Sequence, residues 1–196
     1  LLLSSPEFEI LGVVMDHGLT EKRAQVTCKM LYETGMEHIP VVVGRPTSKE
    51  SAGVNKNLTP RTRQFDWAEG FSKIKPINKS GADFIIEMLR KYPNEIILFT
   101  IGPVPNIGDI IKIDPDVLKL AKHIYSMFGS FYLGYGSDPV IDAEYNVRAD
   151  VESSKLFASC GAKITYAGLD ITTFVKLDAD NRLKLLMRQS PLTNAL

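Results

Sequence analysis

The chain has 196 residues, 44% hydrophobic and 23% charged, enough apolar material for one globular domain with a sizeable core. Lys and Arg balance Asp and Glu at 23 each, so net charge gives no pull toward nucleic acid or an anionic membrane surface, and neither is an expected partner. The two cysteines, Cys28 and Cys160, lie far apart in helix-like segments and make neither a disulfide framework nor a CxxC metal site.

The chain opens on Leu1-Leu2-Leu3, which resembles the last turn of a helix, with no initiator Met and no positively charged leader; the expectation is an internal piece of a longer protein. Residues 8–15, F-E-I-L-G-V-V-M, read as an apolar strand, and Asp16-His17-Gly18 as the loop after it. An amphipathic helix is expected over residues 20–33, ended by Gly35, and a strand over residues 39–43 between Pro40 and Gly44. Strand, helix, strand with short joints is the βαβ unit of a parallel sheet. Residues 44–80 form a long polar stretch, a candidate lid loop expected to be poorly ordered without ligand.

Residues 81–91 read as a helix leading into residues 96–101, I-I-L-F-T-I, a strand expected to be buried on both faces in the middle of a parallel sheet. Gly102-Pro103 stops it, and Pro105-Asn106 opens a helix over residues 107–113. Further on come a helix (residues 114–122), a strand (123–127), an irregular aromatic-rich stretch (128–147), a helix (150–159) closed by Gly161, a strand (163–169) and a helix (178–188), with Ser190-Pro191 a start signal for one more. The fold class is therefore α/β, a mainly parallel open sheet with five strands side by side and helices on both faces, in a single domain over residues 1–196. In such sheets the ligand site lies outside the carboxyl ends of the strands, where residues 102–107 fall.

Several chemistries drop out. There is no G-x-x-x-x-G-K-[ST], no G-x-G-x-x-G, no G-x-S-x-G and no H-E-x-x-H, and His17, His38 and His123 are far apart in sequence. A hard, oxygen-ligated cation stays open, because strand ends can assemble its site without a local motif. One segment is sharper, residues 142–150, D-A-E-Y-N-V-R-A-D. If residues 144–147 are extended, Glu144 and Asn146 share a face, and a carboxylate beside a carboxamide suits vicinal hydroxyls.

The order G-P-V-P-N-I at 102–107, I-Y-S-M-F-G at 124–129, A-E-Y-N-V at 143–147 and Y-A-G-L-D-I-T at 166–172 resembles the inosine-uridine type nucleoside hydrolases, whose patterns there are GPLTN, a strand ending in MGG, AEFN and VGLDVT. The resemblance covers most of the chain and implies a nucleoside hydrolase-like, Rossmann-like core. It implies hydrolysis of a ribonucleoside's N-glycosidic bond by a calcium-bound water, with Glu144 and Asn146 as ribose-binding residues, Met127 lining the ribose pocket and the Pro105 backbone carbonyl as a calcium ligand. The catalytic aspartate of that family belongs to an aspartate-rich motif expected before Leu1, and a late His-Asp pair is expected beyond Leu196, so this stretch alone is expected to be inactive. Expected partners are a small-molecule nucleoside and further copies in a homo-oligomer; the sequence does not fix a compartment, with the cytoplasm only slightly favoured. The sequence departs from the family at Asp16-His17-Gly18, at Pro105, at Phe128 and in a longer loop over residues 130–140, so a polar pocket residue of the family has no clear counterpart, and Asp16, Tyr135 and Asp138 are poor candidates for replacing it. A non-catalytic binding protein of the same fold is the alternative.

Overall fold

The computed structural model describes residues 2–47, 65–190 and 192–193, and among these, five short strands, all paired in parallel, carry the fold. β1 (Val13–Val14) and β2 (Val41–Val42) make one sheet, joined by α1 (Thr20–Glu33). β3 (Ile97–Thr100), β4 (His123–Met127) and β5 (Ile164–Ala167) make a second sheet in the order β3-β4-β5. α2 (Gly81–Lys91) precedes β3 and α3 (Pro105–Ile113) follows it. α4 (Tyr145–Ala149) and α5 (Val151–Ala158) come before β5, and α6 (Leu169–Thr172) and α7 (Ala179–Met187) after it.

Side-chain periodicity explains the layers. In the first sheet Val13 and Val41 point to a cluster built on Ala24, Cys28 and Leu31 of α1, while Val14 and Val42 point the other way, into the main core. That core holds Leu89 of α2, Ile110 of α3, Phe157 of α5 and Ile124 of β4, all fully buried. In the second sheet the register aligns Leu98, Ile124 and Ile164 toward these helices, and Thr100 donates to Ser126 Oγ at 2.6 Å on the same face. α2 is well signalled: Ser80 Oγ accepts the Asp83 N–H at 3.0 Å at its start, and Arg90 and Lys91 oppose the dipole at its end.

Several expectations need correction. The strands form two sheets of two and three rather than one sheet of five. Residues 96–101 are not buried on both faces: β3 lies at the edge of its sheet, β4 is central, and Phe99 and Ile101 are 39% and 81% exposed. Apolar content alone cannot separate a central strand from an edge strand whose second face is uncovered. Helices cover both faces of the first sheet and one face of the second, where Phe99 and Tyr125 stack in the open at 5.7 Å. Residues 8–12 lie outside any strand, and the helix expected over 114–122 is only the 3₁₀ turn Val117–Leu120. Of the candidate lid, residues 48–64 lie outside the described residues; of its remainder, Phe71 and Ile74 pack against the α1 cluster.

The strand ends are held together by one side chain. Asn106, on the first turn of α3 and 5% exposed, accepts the Arg45 N–H at 2.8 Å after β2 and donates to the Met15 carbonyl at 3.1 Å after β1. Gly44 and Gly81 leave room for it, since a Cβ at either would sit 2.6 Å or less from an Asn106 side-chain atom. Asn106→Ala strands two backbone groups and is expected to cost about 2–4 kcal/mol in urea unfolding; a change under about 0.5 kcal/mol would refute the bridge.

Next to Met15, burial pushes the Asp16 carboxyl up to about 6, with Arg23 only partly offsetting it. The native state then binds that proton more tightly than the unfolded chain, so stability falls as pH rises from about 4 to about 6 and stays lowered above that. Asp16→Asn is expected to gain about 1–3 kcal/mol at pH 7 and almost nothing at about pH 4, read from chemical denaturation at both pH values. An equal gain at the two would contradict the assignment.

Candidate active site

The polar side chains gather where the fold predicts, at the carboxyl ends of the parallel strands. Glu144 is the N-cap of α4, and its carboxylate accepts three backbone N–H groups: Asn146 at 2.9 Å on Oε1, and Gly129 and Val147, each at 3.2 Å, on Oε2. It is 3% exposed, and these donors offset the desolvation of its charge. Asn146, also buried, donates through Nδ2 to the Met127 carbonyl at 2.9 Å and touches Met127 Sδ at 3.1 Å. Met127, Glu144 and Asn146 therefore meet where β4 ends and α4 begins. A carboxylate has about four acceptor positions, so among the described residues one on Oε1 is left without a donor.

The route by which they meet differs from the expected one. Residues 144–147 are not extended; Tyr145–Ala149 is helical, because Glu144 caps the helix with its own side chain. The pair converges by capping and by back-packing on Met127 instead of by alternation along a strand. Pro105 stands apart: its carbonyl accepts a hydrogen bond from Arg45 Nη2 at 2.9 Å. The same guanidinium donates to Asp109 at 2.6 Å and reaches Asp150 and Ser153 at 3.4 Å, tying the end of β2 to α3 and α5. Among the described residues no group of three or more His, Cys, Asp or Glu is arranged to hold a metal ion. A calcium ion needs roughly six to eight oxygen ligands, several anionic, so the Pro105 carbonyl beside a guanidinium does not fit that role on the residues described.

Of the replacement residues, Tyr135 accepts the Tyr145 N–H on Oη at 2.8 Å, so it buttresses the Glu144 turn. Asp138 is turned into its own loop, accepting the Val140 N–H at 2.8 Å. Sequence reasoning missed three further residues on this rim. The His17 ring lies 2.9 Å from Tyr145 Oη and 3.1 Å from Thr47 Oγ1, linking the loops after β1 and β2 to α4. Its position directly after a strand was the available signal. A separate cleft of about 440 Å³ lies beside Arg45, lined by Gly44, Gly81, Asp83, Asn106 and Asp109.

Known proteins agree with this architecture. Probable uridine nucleosidase 2 of Arabidopsis thaliana is 27% identical over 206 residues, covering 99% of this chain and 61% of the relative. Uridine nucleosidase 1 of the same plant is 30% identical over 195 residues, covering 94% of this chain and 56% of the relative. The chain thus spans about three fifths of the length of these relatives. A solved plant nucleoside hydrolase superposes with a TM-score of 0.82 at 24% identity, over 99% of this chain and 62% of that one, and so shares the fold. The family model described as inosine-uridine preferring nucleoside hydrolase matches residues 1–196, and the chain belongs to that family.

Proposed function

We propose that the protein carrying this chain hydrolyses the N-glycosidic bond of ribonucleosides, releasing ribose and the free base. The observation that carries the reading is the closed turn at the end of β4, where a buried carboxylate keeps an acceptor position open beside a carboxamide. That pair suits the two vicinal hydroxyls of a ribose. Breaking the bond to the base puts positive charge on the sugar ring, which a fixed carboxylate stabilises more in the transition state than in the ground state. Glu144 is in place for this before substrate arrives, since three backbone donors already hold it, and Met127 would supply the pocket wall.

The family is generally metal-dependent. Calcium with its bound water, which the resemblance implies, would need carboxylate ligands other than the residues described. The capture of the Pro105 carbonyl by Arg45 favours a second reading, a ligand-binding protein that has kept the fold without the chemistry. A nucleoside cleavage assay on the protein with its natural ends, using uridine and inosine, separates the two. Release of free base that is lost on chelation and restored by calcium supports the hydrolase; nucleoside binding without cleavage supports the second reading. Glu144→Ala is expected to lower kcat/KM by at least about 10²-fold, in the range of a lost transition-state hydrogen bond to a charged group. A loss under about threefold would remove Glu144 from the site.

A further inference from the structure

A polar chain runs alongside the Glu144 turn that the ribose contacts do not use. Thr47 Oγ1, Thr47 being 3% exposed, faces Nδ1 of His17, and Nε2 of the same ring faces Tyr145 Oη. The His17 and Tyr145 rings meet edge-on, 5.5 Å apart at 89°. Tyr145 is the residue between Glu144 and Asn146; its backbone is held by Tyr135, while 39% of its surface stays open. Beside the His17 ring are Asp16, next to it in the chain, and Arg23 of α1, whose Nε is buried with no hydrogen-bond partner among the described residues; the Glu144 carboxylate adjoins Tyr145 in the chain. Burial and then the Arg23 charge hold His17 below its usual range, so the ring is neutral at pH 7.

A neutral imidazole carries one proton. In the tautomer that carries this proton on Nε2, Nδ1 accepts from the Thr47 hydroxyl and Nε2–H donates to the Tyr145 oxygen. The phenol's own proton is then left for a ligand. We propose that Tyr145, oriented by His17, is a further catalytic residue that donates its hydroxyl proton to the departing nucleobase. The inference rests on the hydrolase reading above. When the bond between C1′ and the base nitrogen breaks, its electron pair goes to the base, and the Tyr145 proton moves onto the base. The phenolate left behind is held by the Nε2–H of His17. It takes up the proton released when water adds to C1′, so enzyme and protons are restored.

The test compares two substrates on the protein with its natural ends: uridine, whose base leaves poorly without a proton, and p-nitrophenyl β-D-ribofuranoside, whose nitrophenolate leaves without one. Tyr145→Phe keeps the ring and its contact with His17. It is expected to lower kcat/KM on uridine by about 10²–10³-fold, the range of general-acid catalysis, and on the nitrophenyl riboside by less than about threefold. His17→Gln, which keeps a donor at the Tyr145 oxygen, is expected to show the same selectivity with a smaller loss, and it carries the test if Tyr145→Phe does not fold. Equal losses on the two substrates, or under about threefold on uridine, would overturn the assignment while leaving the hydrolase reading in place. If the unsubstituted protein cleaves neither substrate, the hydrolase reading fails, and this inference with it.

Discussion

The geometry of the site depends on the amide of Asn106. Two parallel sheets meet with no strand pairing between them among the described residues, so the loops after β1 and β2 need another tie to the helix that follows β3. Asn106 supplies it with one donor and one acceptor, satisfying the Met15 carbonyl and the Arg45 N–H in a place water does not reach freely. A buried backbone group without a partner costs about 1–3 kcal/mol. The amide is therefore worth more for what it prevents than for the bonds it makes. Glycine at positions 44 and 81 is the steric condition for that closeness.

From there the chemistry follows a second closed network. A carboxylate buried as deeply as Glu144 is tolerable only because three backbone N–H groups surround it. These donors also remove its freedom to rotate, so little ordering is left to do on ligand binding. Asn146 is fixed against Met127 in the same way. Structural need and the proposed ribose contact thus draw on the same atoms, with the remaining acceptor position on Oε1 as the share proposed for a ligand.

Much of this was legible in the sequence. The helices at residues 20–33 and 81–91 and the strand at 123–127 match their expected limits, because each combines clear periodicity with a stop or cap signal. Glu144, Asn146 and Met127, which the structure brings together, were singled out through a resemblance in motif order, which carries position without conformation. The extended reading of 144–147 failed because a glutamate at N-cap bonds forward to its own helix, an option that side-chain alternation does not weigh. Residues 96–101 were read as central from their apolar content, but whether Phe99 is covered depends on what packs over it, which no local pattern encodes. His17, Thr47 and Tyr145 are separated by 30 and 128 positions in their pairings, so nothing short of the fold could join them.

The central claim is that the junction of β4 and α4 is where a ribose is held. Amide chemical-shift mapping of this chain, titrated with ribose and separately with 2-deoxyribose, tests it without requiring turnover. Ribose is expected to shift the Gly129, Asn146 and Val147 amides, whose N–H groups donate to Glu144, and 2-deoxyribose to shift them less. Shifts confined to Gly44, Gly81 and their neighbours around the Arg45 cleft, with these three amides unmoved, would contradict it.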